Sequence, residues 1–473
     1  MTGLTLAELA RVTGGAWAGA PAPDLLGTPA VGAAIDSRAV SPGEVFVALT
    51  GERADGRDFV DAALDAGAVA AIAEPRPGWF PARPERVLLV EDARRALGAL
   101  AAHHRAALDG VAVIAVTGSV GKTTTCRLLD AALAVSLPGR ASPRSFNNDL
   151  GVPLTVLSAR PGDAYLVCEI GASGPGEIAR LAGIARPEVA IVTAVGRAHL
   201  EGFGSVEAVA REKASLVGAL APDGSAIIAE GSPLLDDAVA ALGVRAHRVG
   251  RSDRADTRIA GVEVVTIRYA GRDGPGLRVT LADGAVFDAP VAGERLATNV
   301  ALAVAAARRM GVRDEAIARG LARAEPAPMR FEPVTVAGVL VVNDAYNANP
   351  DSMAASLEAF AQVAPAGARR VVILGDMLEL GAEERAAHDE VVRRALRIPD
   401  LARLALVGPA MVAAAEGIGD DRAEAYAEPT DGVMRRLAAS LAPGDAVLVK
   451  GSRGVRLERV VDALAARARA VAG

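Results

Sequence analysis

Three lysines, Lys122, Lys213 and Lys450, stand in a chain whose 51 basic residues are otherwise arginine. Arginine serves most solvated cationic positions. A lysine kept against that bias marks chemistry a guanidinium cannot do: a compact charge among phosphates, or an amine that can lose its proton. Each lies in a motif. Lys122 is in T-G-S-V-G-K-T-T-T (117–125), Lys213 follows A-H-L-E-G-F-G-S (198–205), and Lys450 opens K-G-S-R-G (450–454).

The apolar run ending at Val116 leads into Gly118, Ser119, Val120, Gly121 and Lys122, and a helix-periodic stretch continues through Thr123 and Thr124. Backbone N–H groups in such a turn, with the start of the helix behind them, bind phosphate. Lys122 would neutralise terminal phosphate oxygens and Thr123 would offer its hydroxyl to Mg2+. The longer G-x-x-x-x-G-K-[ST] pattern is not met, because Val116 stands at its first glycine; the form present is G-x-x-G-K-T. Glu169 ends the strand in C-E-I-G-A, where a carboxylate is a hard ligand for the same ion. Read from the residues alone, a strand-end glutamate is usually a solvated or capping residue. On the same footing Lys213 is a helix-surface charge beside Glu212, His103 and His104 are surface residues, and Asp36-Ser37 is a capped turn.

These groups need a frame. A length of 473 residues suggests about three domains, and 51% hydrophobic content gives each a core. Aromatics make up 3%, so the cores are aliphatic and no platform for stacking nucleic-acid bases is expected. A net charge of -6 without a basic tract excludes the footprint of a nucleic-acid or anionic-membrane binder, while small anionic substrates remain compatible. Cys126 and Cys168 are expected to be structural thiols in a reducing compartment. The N-terminus has no basic leader and no apolar run approaches the ~18 residues that span a bilayer, so a cytoplasmic location is expected.

Short strands and helices fill the first block, with turn chemistry at Ser41, Pro42 and Gly43 before a strand at Val45 to Leu49. A middle block alternates strands (Val111 to Val116, Tyr165 to Ile170, Val189 to Val192, Ala226 to Ala229) with helices, the pattern of a doubly wound parallel sheet. After Arg251 the alternation of V-E-V-V-T-I-R-Y and G-L-R-V-T-L-A-D-G predicts antiparallel strands, then a helix from Leu296 to Met310 and a hinge at Pro326 and Pro328. A third αβ block carries strands at Val339 to Asn343, Val371 to Leu374, Leu404 to Val407 and Ala446 to Val449. The expected fold class is α/β in three domains. These are a small α/β domain (1–108), a central phosphate-loop domain with a mostly parallel sheet and an antiparallel addition (109–326), and a Rossmann-like C-terminal domain (327–473).

Thr117 to Thr125, with F-N-N-D-L-G-V-P-L (146–154) and N-D-A-Y-N-A-N-P-D-S-M (343–353), resembles the Mur ligase family of ATP-dependent amide-forming enzymes, over a span from Asp36 to Arg453. The third motif narrows the likeness to the branch that adds D-alanyl-D-alanine to UDP-N-acetylmuramoyl-tripeptide in peptidoglycan synthesis. That resemblance implies an acyl phosphate on the tripeptide, attacked by the dipeptide amine. It implies ATP held by residues 118–124, with Asn299 at adenine, Arg330 at phosphate and Asp344 at ribose. Two Mg2+ would be held by Thr123, Glu169, His199 and Lys213, the last as a carbamate formed when CO2 adds to its neutral amine. Lys122, His199 and Lys213 would be the catalytic set. The first domain would bind the uridine diphosphate through Ser37 and Arg38, near G-E-R-A-D-G-R-D-F (51–59). Asn347, Asn349, Lys450, Ser452 and Arg453 would hold D-Ala-D-Ala. His388 follows G-D-M-L-E-L-G (375–381) in the family manner, and is equally a solvated helix histidine. A monomer without nucleic-acid or membrane partners is expected.

Some positions depart from the family pattern. Ala194 replaces an asparagine, Arg295 and Leu296 replace a His-Asn pair, Ser215 replaces a glutamate and Arg57 a histidine. An arginine at 295 could serve a phosphate directly. The alternatives are another Mur or folylpolyglutamate-type ligase, opposed by the 343–353 motif, and a non-catalytic nucleotide-binding homologue, motivated by Ala194 and the lost pair.

Overall fold

The computed structural model describes residues 4–51, 54–143, 145–269, 272–416 and 418–472; Glu52 and Arg53 of the 51–59 motif lie outside them. Three sheets come from successive portions of the chain. In the first, Gly32–Ala34, Glu44–Ala48, Ala70–Ala73 and Val87–Leu89 run parallel, and Ala16–Trp17 closes one edge antiparallel to Val87–Leu89. The helix Ala93–Ala106 joins this sheet to the next. Its Leu97 and Leu100 lie in one apolar cluster with Val45 and Ile72 of the first sheet and Val152 and Leu166 of the central portion. Its last turn is welded on by polar bonds. Arg105 Nε donates to Ala185 O (2.9 Å) and its Nη2 pairs with Glu188, whose other oxygen accepts Val113 N–H (2.6 Å). His104, expected at the surface, is 1% exposed and meets Ala159 O at 2.9 Å, because an amphipathic helix covered on both sides has little solvent face left.

The central sheet has nine strands. Gly139–Ala141, Tyr165–Glu169, Ala112–Thr117, Val189–Val192, Ser225–Ala229, Ala246–Gly250 and Thr257–Tyr269 are parallel, and Arg272–Leu281 and Val286–Ala289 extend it antiparallel. Its strand order reverses at Ala112–Thr117, which lies between Tyr165–Glu169 and Val189–Val192; a crevice forms at such a point beyond the strand C-termini. The helix Lys122–Ala134 starts there and packs on the helix Ala297–Arg309, in which every residue from Asn299 to Ala307 is buried. Alanine predominates in that run, combining high helix propensity with close approach of neighbouring backbones.

The last sheet runs Glu332–Val336, Val339–Asp344, Ala446–Lys450, Arg370–Gly375, Leu401–Val407, Ala423–Tyr426 and is parallel except for its first hairpin. Ala337 (φ 51°) and Gly338 (φ 74°) turn that hairpin, with positive φ at both positions to suit the strand twist. The α/β class and the antiparallel addition agree with the sequence reading. The short edge strands Gly139–Ala141, Glu332–Val336 and Ala423–Tyr426, and the interior strand Ala246–Gly250, were not anticipated; all four carry few fully buried apolar positions. The segment around Pro326 and Pro328 has no regular structure, and Met329 and Phe331 take positive φ (57° and 53°). No described helix is long and apolar enough to cross a membrane.

Candidate active site

The phosphate loop is braced from below by two side chains. Gly118 (φ 150°) and Gly121 (φ 89°) leave room for them: a Cβ at 118 would sit 2.1 Å from Thr193 Oγ1, and one at 121 would sit 2.3 Å from Asn299 Nδ2. Thr193 donates to Val120 O (2.5 Å), and Asn299 donates to Gly121 O (3.3 Å) and Thr125 Oγ1 (2.9 Å). Asn299, expected at adenine, therefore has its amide nitrogen engaged under the loop. Ser119 N–H donates to Ala194 O (2.9 Å), a backbone contact that any residue at 194 would supply.

Lys122 Nζ rests on Gly118 O (2.6 Å). Burial lowers its pKa, opposed by the Glu169 carboxylate. Thr123 donates to Glu169 Oε2 (2.7 Å), and Asn147 Nδ2 donates to Glu169 Oε1 (2.8 Å). Glu169 is fully buried, so hydrogen bonds to both oxygens keep a carboxylate tolerable there. Ser145 Oγ lies 3.3 Å from Thr123 Oγ1 and accepts from Arg330 Nη2 (2.9 Å), whose guanidinium stacks over Tyr346 at 4.0 Å. A chain of polar contacts thus runs from Glu169 through Thr123 and Ser145 to Arg330 of the last portion. Ser145 and Asn147 were not among the expected site residues; their proximity to F-N-N-D-L-G was the available signal. The hydroxyl and carboxylate oxygens fit Mg2+, which takes one or two protein carboxylates and fills its octahedron with water and phosphate oxygens.

Lys213 is no surface charge: it is 2% exposed, 5.7 Å from the Phe203 ring centroid, with no hydrogen-bond acceptor or carboxylate paired to it among the described residues. Glu212, its neighbour, points elsewhere and accepts Gly176 N–H (2.8 Å) and Ile178 N–H (2.7 Å). Burial, reinforced by the Lys122 charge, lowers the Lys213 pKa to about 7. Much of this amine is then unprotonated at neutral pH, the form CO2 requires, so the residue fits a carbamate. His199 (φ 55°) meets Glu379 through Nδ1; burial lowers its pKa against the pull of Glu379, with Lys122 and Lys213 adding to the lowering.

Other expected site residues are committed internally. Asp344 accepts Phe331 N–H (3.0 Å) and the Ser356 hydroxyl, and pairs with Lys450 (2.8 Å). Lys450, 2% exposed, also donates to Asn347 O (3.0 Å), so its charge holds the 343–353 loop. Asn349 caps the helix Pro350–Val363 in a reciprocal box with Ser352. Ser452 is buried, with its hydroxyl accepting Leu378 N–H (3.0 Å). Asn347 is exposed, its side chain accepting Ala348 N–H (2.9 Å). Arg453 is exposed and pairs with Glu458 (3.2 Å).

His388 is fully buried rather than solvated, accepting Met377 N–H (2.9 Å) and meeting Glu384 O at 2.7 Å. Arg38 forms a two-point pair with Asp36, which caps the turn Ser37–Ala39. Arg57 likewise grips Asp55 and reaches Glu74 O (3.2 Å). Arg295, offered as a phosphate ligand, pairs instead with Glu358 (2.7 Å) of the last portion. Cys126 and Cys168 are buried free thiols, the latter raised by burial to about 12, as structural thiols should be.

Residues 31–105, 116–307 and 329–453 match, in turn, "Mur ligase family, catalytic domain", "Mur ligase middle domain" and "Mur ligase, glutamate ligase domain". The chain is 38% identical to the UDP-N-acetylmuramoyl-tripeptide--D-alanyl-D-alanine ligase of Mycobacterium tuberculosis (strain ATCC 25618 / H37Rv), with 98% of each covered. It is 34% identical to the same-named protein of Bacillus subtilis (strain 168), over 91% of this chain and 92% of that one. Among solved structures it is similar to MurF ligase from Thermotoga maritima in complex with ADP (TM-score 0.76, 30% identity, 95% and 100% covered). It is also similar to MurF from Acinetobacter baumannii (TM-score 0.82, 30% identity, 98% of each covered).

Proposed function

The chain belongs to the Mur ligase family, and we propose that it uses ATP to join D-alanyl-D-alanine to UDP-N-acetylmuramoyl-tripeptide, giving the pentapeptide precursor of peptidoglycan. The observation that carries this reading is the Glu169–Thr123–Ser145–Arg330 chain, which joins the phosphate loop to the last portion across a crevice. A ligase needs both sides there. An ionised carboxylate is a poor electrophile, and its condensation with an amine in water is uphill, so a phosphoryl group must first be passed to it.

In this reading the loop N–H groups and Lys122 bind and neutralise the nucleotide phosphates, and Arg330 approaches them from the opposite side. Thr123 and Glu169 would hold one Mg2+, and His199 with carbamylated Lys213 a second. Bound there, these ions would offset the charge that builds on the transferred phosphoryl group. Asn299 and Thr193 keep the loop in shape from below. Seating of the last portion excludes water and so protects the acyl phosphate until the dipeptide amine attacks.

The same reading assigns 1–108 to the uridine diphosphate end of the substrate, 109–326 to ATP and 327–473 to the incoming dipeptide. It is supported by each sheet drawing all its strands from one of those spans. Ser37 and Arg38 would leave their turn to meet the uridine diphosphate, while Lys450 and Asn349 would shape the dipeptide site from behind. A monomer is the working unit in this scheme, and the use of ATP and a UDP-linked precursor supports a reaction in the cytoplasm. Phosphate release that requires ATP, the tripeptide substrate and D-Ala-D-Ala together supports the assignment; release with another amine but not with this dipeptide would reassign the enzyme within the family.

A further inference from the structure

Two non-glycine residues in the left-handed backbone region touch across the crevice: His199 (φ 55°), beyond the strand Val189–Val192, and Glu379 (φ 63°), beyond Arg370–Gly375. Such conformations persist only where surroundings over-determine them, and they gather at functional sites. The surroundings of Glu379 do this. Asp376 accepts Met411 N–H (2.8 Å), Met377 donates to His388 (2.9 Å), and Leu378 donates to Ser452 Oγ (3.0 Å). The loop is therefore pinned by hydrogen bonds immediately before its strained residue, and Leu380 just after it is buried. Across the crevice, Glu201 N–H donates to Glu379 O (3.3 Å), and His199 Nδ1 meets the Glu379 carboxylate.

We infer that Glu379 is a positioning residue for the reaction: its carboxylate accepts Nδ1–H of His199, fixes the tautomer that leaves Nε2 with its lone pair, and does so only when the last portion is seated on the central one. The inference rests on the proposed function, in which His199 is a ligand of the second Mg2+. A carboxylate is an obligate acceptor, so its contact with Nδ1 dictates where the ring proton sits. Acceptors behind a ligating histidine commonly set its orientation and basicity. What is particular here is that the acceptor is carried by a different portion of the chain from the histidine. Readiness of the imidazole is thereby tied to closure, and an open enzyme would hold a ring free to choose either tautomer.

The test uses full-length protein labelled with 15N-histidine, read by long-range 1H–15N spectra at pH 8; the chain has five histidines, and a His199→Asn variant assigns the signal. The wild type should show His199 protonated at Nδ1 only. Glu379→Ala should mix the tautomers and raise the Mg2+ concentration for half-maximal turnover by about tenfold. Glu379→Gln, whose amide can accept or donate, should hold the tautomer less selectively than the wild type, whereas a role confined to stability would alter melting and leave the tautomer alone. A wild-type His199 carrying its proton on Nε2, or a Glu379→Ala variant with unchanged spectrum and Mg2+ requirement, overturns the inference. Turnover measured alongside separates the two claims. An inactive wild type refutes the proposed function, while an active one with an Nε2–H imidazole refutes only the role of Glu379.

Discussion

Asp344 and Lys450 form a 2.8 Å ion pair at the ends of adjacent parallel strands, with side chains 13% and 3% exposed. The pair accounts for one of the three lysines by architecture. Its ammonium also holds Asn347 O, and so the 343–353 loop, beside Tyr346 and the stacked Arg330. Lys450→Met would strand a mostly buried carboxylate. The expected cost is about 3 kcal/mol in urea unfolding, since breaking one side of such a pair leaves the other uncompensated. A loss under 1 kcal/mol would mean that Asp344 is satisfied without its partner.

Lys213 is the opposite case, a buried amine with no acceptor or carboxylate paired to it among the described residues. Folding lowers its pKa from 10.5 to about 7, so between those values the unfolded chain holds one more proton than the folded one. Stability from this group therefore rises with pH across that window, and the penalty is fully present below pH 7. Lys213→Met should be more stable than wild type by about 2 kcal/mol at pH 6, with the gap narrowing by pH 9. Unfolding curves at the two pH values check the sign. The same variant should be inactive, and Lys213→Ala should recover partial turnover when small carboxylates replace the missing carbamate oxygens. Undiminished turnover in either variant removes the carbamate from the scheme.

Arg295 and Glu358 bridge the central and last portions at the surface, with side chains 65% and 45% exposed. Exposed pairs of this kind contribute about 0–1 kcal/mol and weaken with salt. Arg295→Ala should leave ATP-analogue affinity within about twofold of wild type, by calorimetric titration, which is the scale of that energy. A tenfold loss would return this arginine to the phosphates.

The phosphate loop was legible in sequence because its chemistry is local: the glycines, Lys122 and Thr123 are consecutive and fall between an apolar strand and a helix. Buried strands were legible for the same reason, with Val189–Val192 matched at both ends. Burial of charge was not legible. Lys213 and Glu212 are neighbours with opposite fates, one buried beside the Phe203 ring and one capping another helix, and only the packing of the helix Val206–Gly218 decides between them. Arg38, Arg57 and Arg295 each found a carboxylate nearby in space, and a chain rich in both signs offers many such pairings without marking which will form. Glu379 lay within a quoted motif, but its meaning depends on His199 arriving from a different sheet.

The central claim is that ATP activates the tripeptide carboxylate by phosphorylation within the crevice between Lys122 and Arg330. Its most direct measurement is the fate of 18O placed in the terminal carboxylate of UDP-N-acetylmuramoyl-tripeptide, followed by mass spectrometry of the phosphate released during turnover with ATP and D-Ala-D-Ala. The account predicts one labelled oxygen in each phosphate, and loss of both label transfer and pentapeptide product in Lys122→Ala. Unlabelled phosphate alongside pentapeptide product would contradict it.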